Sequence, residues 1–244
     1  FGDIGYQQGE KIAIKVNMNN QNNPYAAEDL AIDASPQMIR GLLRQLVHQA
    51  GVVETSIIVY DAMRPISDPV YNSCQPEFPQ VDYRGGHGYP NRLHANFSWI
   101  SDAIVYSGMV TNPQARSVPR CVLDADYIIN MAILKKHDAQ TAVTLCAKNH
   151  FGTIGNPRVL LNYIRYWERG MNRYDPLVDL MGHANIGAKT VLYMIDGLYG
   201  SKRCIDPPQR WESAPFHNDW PSILFVSQDP VAIDSVGLDF LRAE

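Results

Sequence analysis

Tyr127 to Gly152 reads YIINMAILKKHDAQTAVTLCAKNHFG. An apolar segment, predicted as a strand over Asp126 to Ile133, empties into Lys135, Lys136 and His137, and Lys148, Asn149 and His150 follow soon after. The chain as a whole carries a formal charge of -4, so this basic cluster is local against an acidic background and points to an anionic ligand. A strand that ends in cations and hydrogen-bond donors also bears on the sheet, because open parallel sheets bind ligands outside the carboxyl ends of their strands.

Working outward, four more segments pair an apolar body with a polar end. KIAIKVNMN, from Lys11, alternates Ile12, Ile14, Val16 and Met18 with Ala13, Lys15 and Asn17. SIIVYD closes on Asp61, TVLYMID on Asp196, and SILFVS stops just before Asp229. Between the first two lies a helix with Ser35 as N-cap, Pro36 in the first turn, Met38, Ile39, Leu42, Leu43, Leu46 and Val47 at helical spacing, and Gly51 as the stop. Strand, helix, strand in that order predicts parallel strands joined by a right-handed crossover.

Further helices are predicted over Asn96 to Tyr106, around Thr141 to Lys148, along RVLLNYIRYWERG from Arg158 to Gly170, over Pro176 to Met181, and from the N-cap Asp229 and Pro230 through Leu238. Residues 62 to 95 carry Pro65, Pro69, Pro76, Pro79 and Pro90 with Gly85, Gly86 and Gly88, and are predicted as a loop-rich insertion. The expected fold is one α/β domain over residues 1 to 244, a mostly parallel, Rossmann-like open sheet of about five strands with helices on both faces. Phe1 is not an initiator methionine and the last helical pattern ends without a capping glycine, so the chain is expected to be part of a longer one.

Composition narrows the function. At 244 residues, 45% hydrophobic and 19% charged, the chain can bury a substantial core. It has no run of about 18 apolar residues, so no membrane span is expected, and mild acidity argues against a nucleic-acid surface. Cys74, Cys121, Cys146 and Cys204 form no C-x-x-C pair, so no iron–sulfur cluster is expected within this segment; they fit either buried thiols or one or two disulfides, and inert core thiols are the favoured reading. There is no G-x-S-x-G elbow, P-loop or dinucleotide fingerprint; the first strand runs into the asparagine-rich NMNNQNN instead.

The pieces IAIKVNMN, DADYIINMAILKKH, TLCAKNHFGTI, YMIDGLYG and SQDPVAIDSVG, in that order, resemble the bacterial and archaeal domain-of-unknown-function family 362 across most of the chain. The resemblance implies that Lys15 and Asn17, Lys135 or Lys136 with His137, and the pair Lys148 and Asn149 match the family's polar positions. His183 matches a later histidine, and Asp196, Asp229 and Asp234 match its acidic ones. It further implies links to iron–sulfur modules and to export signals of the twin-arginine type. The cluster-binding cysteine runs are absent here, so an electron-transfer role would need a redox partner domain.

Three chemistries fit these residues. In the first, a crevice at the strand ends binds or acts on a small carboxylate or phosphate compound. His137, Lys135, Lys148 and Asp196 would be the catalytic group, with His137 as general acid or base, and Lys15, Asn17, Lys136, Asn149 and Asp61 would hold the ligand. In the second, His137, His150 and His183, with Asp61 and Asp196 nearby, hold a divalent metal, although no pair has His-x-x-x-His spacing. The third is a noncatalytic binding or assembly protein that uses its tyrosines and tryptophans as a contact surface. The loop with Trp211, Phe216 and Trp220 is either an apolar wall for a substrate or a cover for the core.

Overall fold

The structure, a computed structural model, describes residues 5–19, 31–86, 97–137, 142–165, 174–202 and 206–244. Asn20, Gln21, Asn22 and Asn23 of the asparagine-rich stretch lie outside these residues, as do Gly88, Pro90, Asn96, Thr141, residues 166–170 and Cys204. In chain order the strands are β1 (Ile12–Lys15), β2 (Ile57–Asp61), β3 (Asp82–Gly85), β4 (Trp99–Ile100), β5 (Val118–Pro119), β6 (Tyr127–Lys135), β7 (Thr190–Ser201) and β8 (Ile223–Ser227). The α-helices are α1 (Pro36–Arg44), α2 (Asp68–Cys74), α3 (Arg120–Leu123), α4 (Cys146–Asn149), α5 (Pro157–Arg165), α6 (Pro176–Gly182) and α7 (Pro230–Ala243).

Among the described residues the main sheet has six strands in the order β3-β2-β1-β6-β7-β8, parallel except for β8 at one edge, and β4 and β5 form a small antiparallel pair. The chain builds outward from β1 through β2 and β3, then crosses to β6 on the other side of β1. That reversal is a topological switch point, and it opens a crevice at the carboxyl ends of β1 and β6.

Every residue of β1 and β2 is buried, as parallel strands covered on both faces require. On one face Ile12, Ile14, Ile57, Val59, Ile129 and Met131 pack under α1 and α2. On the other, Ala13, Ile58, Tyr60 and Ile128 meet Leu160, Leu180 and the segment around Val118. Strand periodicity then places Lys15 on the Ala13 face and Lys135 on the Met131 face.

Several expectations needed revision. Within the expected loop-rich insertion, the described residues 62–86 contain α2 and β3, which extend the parallel sheet by a β-α-β step, with β3 paired to β2. β3 is only four residues long and contains a glycine, so its periodic signal was weak. Asn96 to Tyr106 is not helical where described; Trp99 and Ile100 pair instead with Pro119 and Val118. The fifth predicted strand is antiparallel, so Ser227 and Asp229 lie at the opposite end of the sheet from the other strand ends. Trp211 is fully buried and meets Phe216 edge-on at 5.3 Å, so this loop covers the core beside α7. No helix among the described residues is long and apolar enough to cross a membrane.

Candidate functional site

A cleft of ≈ 460 Å³ opens at the switch point, above the carboxyl ends of β1, β2 and β6. Its floor is built around Lys15, which is 0% exposed. The three ammonium protons have three acceptors: the Val16 carbonyl, Asp61 Oδ2 at 3.2 Å and Asn149 Oδ1 at 3.2 Å. Burial lowers the pKa of Lys15, and the adjacent Asp61 charge works against that shift. Asp61 is as fully engaged. Its Oδ2 also accepts from the Met18 amide, and its Oδ1 accepts from the amides of Met63 and Arg64, so it fixes the turn that follows β2. An ion pair this well bonded is costly to break, because either partner left alone is an uncompensated buried charge.

Gly152 closes over this pair. A Cβ there would stand 2.5 Å from Lys15 Nζ and 3.0 Å from Asp61 Oδ1, so only glycine admits the approach. The Gly152 carbonyl accepts from the Ala62 amide at 2.8 Å, which ties the segment to the end of β2.

Behind the floor runs a chain of amides. Lys15 and Asn130 are register partners across β1 and β6, and both face α4. Asn17 donates to Asn149 Oδ1 at 2.9 Å, and Asn149 Nδ2 donates to Asn130 Oδ1 at 2.8 Å. Asn130 Nδ2 donates to the Cys146 carbonyl at 2.8 Å and lies 2.9 Å from His150 Nε2. With the amide donating, His150 is neutral; burial first, and the Lys15 charge second, push its pKa down to about 3. α4 is fixed at its start by Asp234 of α7, whose carboxylate accepts from the Cys146 amide at 2.7 Å and the Ala147 amide at 2.9 Å. A carboxylate at a helix start satisfies donors that have no partner within the helix.

The walls add Lys135 and His137 from the end of β6, Lys148 from α4, Arg64 from the turn after β2, and Arg158 from α5. Lys135 is 1% exposed and donates to Asn19 Oδ1; Lys148 is 8% exposed, with its ammonium 5.5 Å from the centre of the Phe151 ring. Among the described residues lining the cleft there are five cationic side chains and one carboxylate. Met63, Phe151, Pro157 and Leu161 supply an apolar surface between them.

Lys15, Asn17, Asp61, Lys135, His137, Lys148 and Asn149 therefore share one cleft. Four other candidates do not line it. Lys136 follows Lys135 by one strand position, points the opposite way, and borders a separate hollow with Trp211 and Leu241. Asp196 lies within β7, which continues to Ser201, and its Oδ2 accepts from both the amide and the hydroxyl of Ser35. Burial raises its pKa, and the bonds from Ser35 and Leu198 oppose the rise. Ser35 thus begins α1 without capping it, because its hydroxyl belongs to Asp196.

The proposed histidine ligand set is not assembled either. His137 lines the cleft, His150 lies buried beyond the amide chain, and His183 ends α6 next to Asn185 and Val105. Among the described residues no group of three His, Cys, Asp or Glu side chains is placed to hold a metal ion. Asp229 caps α7 by accepting from the Val231 and Ala232 amides. Cys74, Cys121 and Cys146 are free thiols whose pKa burial raises, to about 12 for Cys74 and about 11 for Cys121, which leaves them protonated and unreactive at neutral pH.

Sequence reasoning missed Arg64, Arg158, Thr144 and Gly152. Arg64 carried a signal, standing three residues past Asp61 at a strand end. Arg158 had none, since a charge in the first turn of an amphipathic helix ordinarily faces solvent.

The family model for a domain of unknown function, DUF362, matches residues 12–239. No curated protein and no solved structure matches the chain.

Proposed function

Since the chain belongs to the DUF362 family, whose description names no activity, we propose on physical grounds that the cleft binds a small carboxylate or phosphate compound. We further propose that His137 is the proton-transferring group for whatever reaction follows. One observation carries the reading: among the described residues, five cationic side chains and one carboxylate line a single cleft in a chain whose formal charge is -4. Ammonium groups and guanidinium forks gathered at one cleft are suited to the oxygens of an anion. Lys15 and Asp61 form its preorganised floor, and Asn17 and Asn149 are held in place by the amide chain. His137 sits beside Lys135 at the end of β6, within the same lining.

The test is a thermal-stabilisation screen with inorganic phosphate, pyrophosphate and simple carboxylates at low ionic strength, because a ligand that binds only the folded state raises Tm. Stabilisation should be lost in Lys135→Met and retained in Lys136→Met, whose side chain faces the other way. Equal loss in both variants, or no stabilisation by any anion, would overturn the reading.

A further inference from the structure

A short segment before α4 runs antiparallel beside the end of β6. The His137 amide donates to the Ala142 carbonyl at 2.7 Å and the Thr144 amide to the Lys135 carbonyl at 3.1 Å, with Lys136 and Val143 bridged between those bonds. In such a ribbon, residues opposite one another project to the same side and successive residues alternate. Lys136 and Val143 face away from the cleft: Lys136 borders the hollow with Trp211, and Val143 packs against the cluster that contains Trp211. Lys135 and Thr144 stand opposite each other on the other side, and both line the cleft.

Thr144 is 4% exposed, and its Oγ1, shut off from solvent, has no hydrogen-bond partner among the described residues. Buried polar groups ordinarily have partners, and a hydroxyl left without one destabilises the fold relative to a methyl of the same shape. One torsion, about Cα–Cβ, decides whether a threonine turns its oxygen or its methyl to a given side. The hydroxyl can therefore be presented to the cleft while the backbone stays held by Lys135.

Resting on the anion-binding reading above, we propose that Thr144 is a further ligand-binding residue, whose hydroxyl donates to an oxygen of the bound anion beside Lys135. The bond is neutral and short-ranged, so it orients the ligand and selects one with an acceptor at that position.

This role gives Thr144→Val two effects that a structural hydroxyl would not combine. The substitution keeps the shape of the side chain and replaces the hydroxyl with a methyl. In the ligand-free protein it removes an unsatisfied buried group, so stability holds or rises. In the complex it removes a donor, so affinity falls.

The experiment is urea unfolding of the ligand-free whole chain, and isothermal titration with inorganic phosphate, pyrophosphate and acetate at one low ionic strength. Both are run on the unaltered protein, Thr144→Val and Thr144→Ser. The urea midpoint of Thr144→Val should equal or exceed that of the unaltered protein, while its Kd for the tightest of these anions rises about tenfold. Thr144→Ser, which keeps the hydroxyl, should bind within about threefold of the unaltered protein. A midpoint of Thr144→Val below that of the unaltered protein overturns the proposal, because the hydroxyl then serves the fold. A loss of affinity under about threefold in Thr144→Val, or an equal loss in Thr144→Ser, overturns it too and leaves the anion site standing. Failure of all these anions to bind the unaltered protein overturns both.

Discussion

Replacing Gly152 with alanine tests the floor of the cleft through the sign of a stability change. The φ of Gly152 lies outside the left-handed range, and at such positions Gly→Ala ordinarily stabilises by about 0.4–1 kcal/mol through the unfolded chain. Here the added Cβ would stand 2.5 Å from Lys15 Nζ, 2.6 Å from Lys15 Cε and 3.0 Å from Asp61 Oδ1. Lys15 has nowhere to retreat, being fully buried with all three protons bonded. Residue 152 is held as well, by the bond from the Ala62 amide.

If the backbone yields, the overpacking costs about 1–3 kcal/mol. If the ammonium is driven off Asp61, the broken buried pair costs up to about 3–5 kcal/mol. Set against the ordinary gain, the expected net loss is about 1–2 kcal/mol by the first route and about 2–4 kcal/mol by the second, read as a fall in the urea midpoint at unchanged slope. Truncating the struck side chain should remove most of the effect: in a Lys15→Ala background, Gly152→Ala should cost less than about 0.5 kcal/mol. A neutral or stabilising Gly152→Ala in the unaltered protein would refute the close approach and with it the described position of Lys15.

Other parts of the site can be tested in the same way. The His150 pKa is pushed down to about 3 from an ordinary 6.5, so as pH falls the unfolded chain takes up this proton first. Its contribution to stability is complete above 6.5 and declines toward 3, adding up to about 1.4 kcal/mol per pH unit to the acid sensitivity. His150→Gln should therefore flatten stability against pH between 6 and 4, and a slope matching that of the unaltered protein would count against a buried neutral imidazole. Asp234→Ala removes the acceptor of two amides at the start of α4 and should cost about 1–2 kcal/mol in denaturant unfolding. Because α4 carries Lys148 and Asn149, the same variant should also weaken anion binding, whereas unchanged affinity would mean that α4 keeps its position without this cap. Asp196→Ala, outside the cleft lining, should destabilise the fold by releasing Ser35 yet leave anion affinity within about twofold of the unaltered protein at temperatures where the variant is folded. A large specific loss of affinity would place Asp196 in the site after all.

Much of this protein was legible in its residues alone. Apolar runs such as IAIK and YIINMAILK have strand length and no room for a helix, and the punctuation of Ser35 and Pro36 predicts a helix between parallel strands, so the α/β class followed from local signals. The polar residues at the ends of β1, β2 and β6 were legible for the same reason. A parallel sheet aligns the carboxyl ends of its strands, so residues such as Lys15, Asp61 and Lys135, far apart in the chain, share one edge. What tertiary structure alone decided is which neighbour in sequence is a neighbour in space. Lys135 and Lys136 are adjacent and chemically alike, but the alternation of a strand sends them to opposite faces. Asp196 resembles Asp61 on paper, yet β7 runs on past it and Ser35 claims it, whereas β2 stops at Asp61 and leaves it beside Lys15. Arg158 and Gly152 gain their meaning only when α5 and the segment after α4 fold back over the strand ends. Local signals report what a stretch of chain prefers to be, and the folding back depends on long-range packing that no local signal contains.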